Sequence, residues 1–395
     1  MSFLRLATLA FLVTLPPGAL RPAMAQGGAT WLAVSVGDHY ACGITSDRAA
    51  YCWGTRNGLG QLGAGTVGDT SAQPRRVVGR LEFRAISAGL RHTCGVTTAG
   101  RVVCWGSDEG GALGGSPPAS ARCGAARGAC SARPVEVDAG ALTFDSVTAG
   151  LAHSCARSTK GTVHCWGGDA AGQRGRPARG GSGLASVCCT PALTTVDAGT
   201  TFTCALSAAG AAYCWGSDLL GELGIDRRAI GTCAYGGYAA APCSPTPVTV
   251  SGALKLAAIS AAVPAEFNAE PRVCGLSLRD EVYCWGAGLL ATQARFSTTP
   301  NRMDGGRRFA SLSVGATHLC GVGRDGRAYC WGRNEYGQIG DGTTAGREQP
   351  VRVAGTLSFA QISAGVDQTC GITTAGAAYC WGAGIGYAPT PVPDP

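Results

Sequence analysis

The chain is predicted to be all-β: a seven-bladed β-propeller of four-stranded antiparallel blades with disulfide-stapled hairpins. Three observations predict it. Seven times a cysteine is followed ten positions later by a second cysteine and then Trp-Gly. The pairs are Cys42 with Cys52, Cys94 with Cys104, Cys155 with Cys165, Cys204 with Cys214, Cys274 with Cys284, Cys320 with Cys330, and Cys370 with Cys380. Each pair lies among short, glycine-punctuated stretches of alternating polarity, the pattern of strands rather than helices. The alternation also places apolar side chains on both faces of the sheet, so each sheet needs cover on both faces, which radial stacking supplies.

The second copy justifies each element in order. Phe83 to Gly89 is a short strand ended by glycine, His92 to Thr97 a second strand, Thr98-Ala99-Gly100 a turn, and Arg101 to Trp105 a third strand. A glycine-rich loop follows, and Pro134 to Val137 supplies an edge-type fourth strand, where proline is tolerated. If Cys94 faces Cys104, the hairpin loop has three residues, a geometry that ends on a left-handed residue and favours glycine. Glycine stands there in five copies, Gly100, Gly161, Gly210, Gly326 and Gly376, with Arg48 and Asp280 in the other two. Directly opposed cysteines at a non-hydrogen-bonded pair lie about 4.5 Å apart, within disulfide reach. Each of the seven pairs is therefore expected to be bonded. Closing a loop of this size contributes up to about 3 kcal/mol. Tyr51, Tyr213, Tyr283, Tyr329 and Tyr379 precede the second cysteine and tryptophan follows it, so the aromatics point away from the disulfide.

The N-terminus reads as a secretory signal. Arg5 gives a basic start, Leu6 to Leu15 an apolar stretch too short to span a bilayer, and Ala23-Met24-Ala25 a cleavage site. Residues 1–25 are therefore expected to leave and residues 26–395 to form a single seven-repeat domain, secreted or periplasmic or at the cell surface. No later segment is apolar for long enough to span. Twenty cysteines in an exported chain imply disulfides rather than zinc or redox chemistry, and no C-x-x-C occurs. The formal charge of +7 falls to +5 once Arg5 and Arg21 are removed, with no polybasic run of the kind that argues for nucleic acid.

The strand-Gly-x-x-His-x-Cys-Gly-Val pattern, the turn glycine, Cys-Trp-Gly and Gly-Gln-Leu-Gly together resemble the regulator of chromosome condensation repeat family. The residues that carry this are Gly315-Ala316-Thr317-His318, Trp331-Gly332-Arg333-Asn334 with Gly337-Gln338-Ile339-Gly340, and Gly58 to Gly63. The resemblance runs from about Trp31 to the C-terminus and implies a seven-bladed propeller. The paired cysteines suit an exported, cysteine-rich bacterial-type branch. The founding member's nucleotide exchange on a small GTPase is not carried over, because no residue here argues for it independently. The propeller-type beta-lactamase inhibitory proteins, exported rings that bind another protein by one face, also look like this fold. The fifth copy lacks the slot glycine (Ala269) and the Gly-Gln-Leu-Gly loop, the third reads Gln173-Arg174-Gly175, and the seventh has only Pro389 to Pro393 for a fourth strand.

No catalytic set emerges. Gly58 to Gly63 matches G-x-G-x-x-G, but a polar, proline-containing loop follows instead of the helix that phosphate binding needs. His92, His153 and His318 share one repeat slot, filled elsewhere by Tyr40, Phe202, Arg272 and Gln368, so their expected role is structural. No metal and no cofactor are expected.

The irregular loops are where binding is expected. From Trp-Gly to the next strand-opening proline, the connection is 20, 28, 24, 29, 14, 18 and 7 positions long (to Pro74, Pro134, Pro191, Pro245, Pro300, Pro350 and Pro389). The three longest are consecutive and hold the other six cysteines, with a Cys123 to Cys130 bond and a Cys233 to Cys243 bond expected. Cys188 and Cys189 either bond each other or pair with other loops. The fifth copy carries a separate insertion, Val263 to Arg272. First-to-second and third-to-fourth connections leave an up-and-down blade from the same end, so all four insertions are expected on one face. Arg122, Arg127, Arg174, Arg176, Arg179, Arg227, Arg228, Tyr235 and Tyr238 are its candidate binding residues, being of types common at interfaces. The expected function is a non-enzymatic, monomeric binding scaffold for an extracellular or envelope protein or glycan. A secreted enzyme or enzyme inhibitor on the same scaffold, and a nucleotide-exchange-type regulator, are the alternatives.

Overall fold

The computed structural model describes residues 29–116, 123, 129–177, 181–235, 238–263, 271–288 and 296–395. The expected signal segment, 1–25, lies outside them. Seven antiparallel sheets follow one another along the chain, spanning residues 31–76, 83–136, 144–186, 193–249, 256–302, 309–352 and 359–391, and are called blades 1 to 7 here. Six have four strands in sequential order; blade 4 gains a fifth. Blade 2 shows the plan, with strands Phe83–Ala88, His92–Thr97, Val102–Ser107 and Cys130–Glu136.

The hairpin geometry predicted from spacing is present throughout. In every blade the two repeat cysteines are register partners and are bonded to each other. In blades 1 and 2 these are Cys42 with Cys52 and Cys94 with Cys104, at Cα separations of 4.0 and 4.1 Å. In blades 3 and 4, Cys155 bonds Cys165 and Cys204 bonds Cys214, both at 4.1 Å. In blades 5, 6 and 7, Cys274 bonds Cys284, Cys320 bonds Cys330 and Cys370 bonds Cys380, at 4.0, 4.1 and 4.0 Å. The separations are about half an ångström shorter than the spacing expected of an opposed pair, because the bond draws the two strands together. The turn residue is left-handed in every blade, with φ of 80° at Gly100 and 65° at both Arg48 and Asp280. Arg48 and Asp280 therefore accept a conformation that glycine adopts without cost elsewhere.

The core is seven inter-blade layers rather than one central mass. Each layer joins the disulfide face of one blade to the tryptophan face of the next: Cys42 and Cys52 pack with Phe83 and Trp105, and Cys94 and Cys104 with Phe144 and Trp166. The last layer sets Cys370 and Cys380 of blade 7 against Trp31 and Trp53 of blade 1. The ring thus closes without strand exchange, since each blade is one continuous segment. Gln361 of blade 7 completes the closure by bonding both the N–H and the C=O of Val34, each at 3.1 Å.

A second ring lines the central channel, a cavity of about 150 Å³. Each blade contributes one small polar side chain from its first strand: Ser35, Ser87, Thr148, Asp197, Ser260, Ser313 and Ser363. Each accepts the backbone N–H that follows the equivalent residue of the next blade, at 2.9–3.1 Å, and Ser363 returns the chain of bonds to Val36. One residue farther along, glycine is required by close approach: a Cβ at Gly89 would lie 2.5 Å from the Gly150 carbonyl oxygen. The sequence carries this signal as a small polar residue two positions before the strand-ending glycine, but it is legible only once the blades face each other.

Ser87→Ala leaves the Ala149 amide without its acceptor. It is expected to cost about 1 kcal/mol, read as a lower urea midpoint at unchanged slope; a change within a few tenths of a kcal/mol would show that channel water replaces the hydroxyl.

Candidate functional site

The topology puts the first-to-second and third-to-fourth connections at one end of the ring and the cysteine hairpin turns at the other. On the first end, blade 4 projects a hairpin. Gly231–Tyr235 pairs with Tyr238–Thr249 as a fifth strand, and the Cys233–Cys243 disulfide bridges it with a Cα separation of 5.8 Å. Cys233 and Cys243 pack on Ala171 of blade 3. Blade 2 repeats the arrangement: the Cys123–Cys130 disulfide, 5.9 Å between Cα atoms, packs on Leu59 of blade 1. Each stapled insertion therefore leans on the preceding blade.

Register corrects the expectation for blade 3. The residues opposite the second cysteine are Arg75, Val135, Ala185, Val248, Asn301, Val351 and Thr390. The residue before each is proline except in blade 3, where it is Leu184; in blade 4 it is Pro247, not Pro245. The fourth strand of blade 3 is only Ala185–Ser186, so Pro191 belongs to the crossover into blade 4. Measured to Leu184, the connection from Gly167 is 17 positions, shorter than the 20 of blade 1. The long connections are thus those of blades 2 and 4. Cys188 and Cys189, bonded to each other, sit in that crossover, at the opposite end of the ring from the insertions.

The arginines predicted for the face divide. Arg174 is 1% exposed and turns inward, donating to the carbonyls of Gly181 and of Gly183, the latter at 2.8 Å. Arg227 is half-buried; it pairs with Asp218 at 3.2 Å, donates to Leu219 O at 2.6 Å and stacks over Phe296 of blade 5 at 4.4 Å. Arg176 is half-buried and Arg228 exposed. Arg122, Arg127 and Arg179 lie outside the described residues, as do residues 264–270 of the blade 5 insertion, Ala269 included. The residue of blade 5 that stands where the other blades have their strand-ending glycine is Ala262, whose N–H reaches Arg272 O as that of Gly89 reaches His92 O, each at 2.9 Å. Tyr235 and Tyr238 are backbone partners across the hairpin; their side chains are not among those described.

The histidine slot is a strut between blades. His92 Nε2 meets Ser154 Oγ at 2.7 Å, His153 Nε2 meets Thr203 Oγ1 at 2.9 Å, and His318 Nε2 meets Thr369 Oγ1 at 2.6 Å. Those hydroxyls donate onward to Ala112 O, Gln173 O and Gln338 O, so each imidazole must donate from Nε2. The same carbonyls accept the indole N–H of Trp166, Trp215 and Trp381 at 2.8–2.9 Å. Burial lowers the imidazoles from the usual value to about 4 at His92 and about 3 at His153 and His318, and their Nδ1 atoms face no donor.

Two buried carboxyls move the other way. Asp197 in the channel is raised to about 6 by burial, although it accepts the Ala261 N–H and the Thr148 hydroxyl. Glu222 stands where blades 1, 3 and 6 have Gln61, Gln173 and Gln338, and burial with the nearby Asp218 raises it to about 8. It is therefore largely protonated at neutral pH and accepts the Leu220 N–H at 2.7 Å, as Gln61 accepts that of Leu59. Among the described residues no three His, Cys, Asp or Glu are grouped to hold a metal, and no helix is long and apolar enough to cross a membrane.

Comparison with known proteins places the repeat. Models of the regulator of chromosome condensation (RCC1) repeat match residues 49–96 and 325–372, and a second model of the same repeat matches 83–111, 144–173 and 309–338. The chain carries RCC1 repeats: it is an RCC1-like propeller, a binding or regulatory scaffold. Human E3 ubiquitin-protein ligase HERC2 is 25% identical over 327 residues, 80% of this chain but 6% of that protein. A bovine secretion-regulating guanine nucleotide exchange factor is 25% identical over 331 residues, 82% of this chain and 54% of that protein. The chain thus spans about half of the exchange factor and a small part of the ligase. Human WBSCR16 shares the fold at a TM-score of 0.72 and 18% identity, over 87% of both chains. Yeast RCC1 (Prp20), solved bound to Kap60, does so at 0.70 and 16%, over 87% of this chain and 83% of that one. The ectodomain of the Arabidopsis thaliana receptor kinase ACR4 does so at 0.54 and 20%, over 93% and 100%.

Burial of Glu222 sets a pH test. A carboxyl whose folded value is raised contributes stability below its unfolded value that is lost as pH rises toward 8. Glu222→Gln is expected to raise the stability read from urea unfolding at pH 8 by on the order of 3 kcal/mol and to leave it almost unchanged near pH 4.5; equal effects at both pH values would refute the protonated reading. The lowered histidines act in the opposite sense, with stability present above about pH 6.5 and lost as pH falls toward 4 and 3.

Proposed function

We propose that the chain is an exported, non-enzymatic binding protein that captures an extracellular or envelope protein, or a glycan, through the end of the ring that carries the insertions. One observation carries this reading: the stapled hairpin of blade 4 and the stapled loop of blade 2 stand on the same end of the ring. A loop closed on itself is ordered before it meets a partner, which lowers the entropic cost of binding. Export is supported by the apolar Leu6 to Leu15 segment with its Ala23-Met24-Ala25 site, and by the pairing of all 20 cysteines. Arg228 and the Tyr235–Tyr238 tip are the contacts assigned to the partner. Arg174 and Arg227 instead hold the loops that present them.

The named exchange factor among the relatives supports a second reading, regulation of nucleotide exchange. It requires a cytoplasmic, reduced chain, so compartment separates the two.

Deleting Gly231 to Pro242 is expected to abolish partner capture from native secretions while leaving the seven repeat hairpins oxidised, as followed by pull-down and non-reducing mass mapping. Capture unchanged by the deletion would refute this face as the site. Sequencing of the native N-terminus is expected to begin at Gln26; an intact Met1 with reduced cysteines would favour the exchange reading.

A further inference from the structure

Most blade junctions share one filling. The loop after Cys-Trp-Gly lays an aliphatic side chain and the carbonyl before it against the next blade. Leu62, Leu113, Leu223 and Ile339 are each fully buried. The carbonyls of Gln61, Ala112, Glu222 and Gln338 accept the indole N–H of Trp105, Trp166, Trp285 and Trp381 at 2.8–2.9 Å. An Asn or Asp shapes the turn, as Asn334 does by accepting the Ile339 N–H at 2.9 Å.

The junction of blade 7 with blade 1 has no such filling. Blade 7 passes from Gly382 to Gly386 through Ala383, Gly384 and Ile385 alone. A cavity of about 310 Å³ lies there, lined by Trp53 and Ala41 of blade 1 and by Ile385, Thr390 and Val392 of blade 7. Among the described residues, Trp53 makes no indole hydrogen bond equivalent to that of Trp381. Ile385, a large hydrophobic side chain, is 37% exposed at this cavity.

We propose that this seam is a docking slot for an aliphatic-glycine turn of a partner protein. A leucine or isoleucine enters the cavity and the carbonyl before it accepts the Trp53 indole N–H, reproducing the contact that the chain makes with itself at the junctions filled by Leu62, Leu113, Leu223 and Ile339. A second copy is a poor donor, because Leu62, Leu113, Leu223 and Ile339 are already sealed in their own junctions. The slot is distinct from the insertions of blades 2, 4 and 5, and its test is independent of theirs.

The probe is a peptide with the sequence of residues 334–343, added to the full chain carrying 15N-labelled tryptophan. The Trp53 indole resonance, assigned through Trp53→Phe, is expected to move saturably, while those of Trp105, Trp166, Trp285 and Trp381 stay. Ile339→Ala in the peptide is expected to weaken the effect at least about tenfold, as loss of a buried aliphatic side chain implies. A second variant removes affinity from the question: the same ten residues inserted between Gly382 and Gly386 of the full chain. It is expected to shift Trp53 with no peptide added and to block the probe. A Trp53 resonance unmoved in that variant overturns the proposal. Movement with protein concentration alone assigns the slot to a second copy and overturns it as well.

Discussion

The structure depends on one contact, the indole of one blade laid on the disulfide face of the blade before it. The hairpin disulfide offers a flat, fully buried surface, and the tryptophan that follows the second cysteine covers the equivalent surface of the preceding blade. Its N–H leaves one polar atom to satisfy in a dry layer, and an unmet donor there costs more than the bond contributes. The Gly-Gln-Leu-Gly loop supplies the carbonyl at most junctions. The serine or threonine after the histidine slot bonds the same carbonyl, and the imidazole of the preceding blade bonds that hydroxyl. Cysteines, tryptophan, glutamine loop and histidine are therefore parts of one joint rather than separate motifs.

Departures from the motif acquire meaning from that joint. Blade 5 has no Gly-Gln-Leu-Gly loop, and the Trp331 indole N–H of blade 6 has no partner among the described residues. Glu222 takes the place of glutamine in blade 4 and keeps the geometry by holding a proton. In blade 3, Arg174 occupies the aliphatic position, and its guanidinium turns back into its own loop. An arginine that reads as a surface anchor in the sequence is thereby absorbed into the scaffold, as Arg227 is by Asp218 and Phe296.

Much of this was legible beforehand, for a physical reason. The hairpin register follows from counting residues between two cysteines, because a three-residue turn admits one pairing and wants a left-handed residue at its end. Arg48 and Asp280 hold that conformation although neither is glycine. Proline marked the edge strand wherever that strand was long enough to carry it. It misled in blade 3, where the fourth strand is Ala185–Ser186 and the next proline already belongs to the crossover. Cys188 and Cys189 therefore stand at the end of the ring opposite the insertions. The serine-rich channel ring went unread because each of its bonds joins residues far apart in the chain, and nothing local to Ser87 names Ala149 as its partner.

The sequence by itself determined the unit: a stapled hairpin, its turn, its two covered faces and the number of its copies. These rest on local spacing and on the alternation of side chains, which a chain cannot hide. Only the tertiary structure decided what happens between units. Ring closure through Gln361 and Val34, the unfilled seam at Trp53, the inward turn of Arg174 and the end on which each cysteine stands all depend on which surfaces meet. Such meetings are set by packing over the whole ring, and no single repeat contains the information.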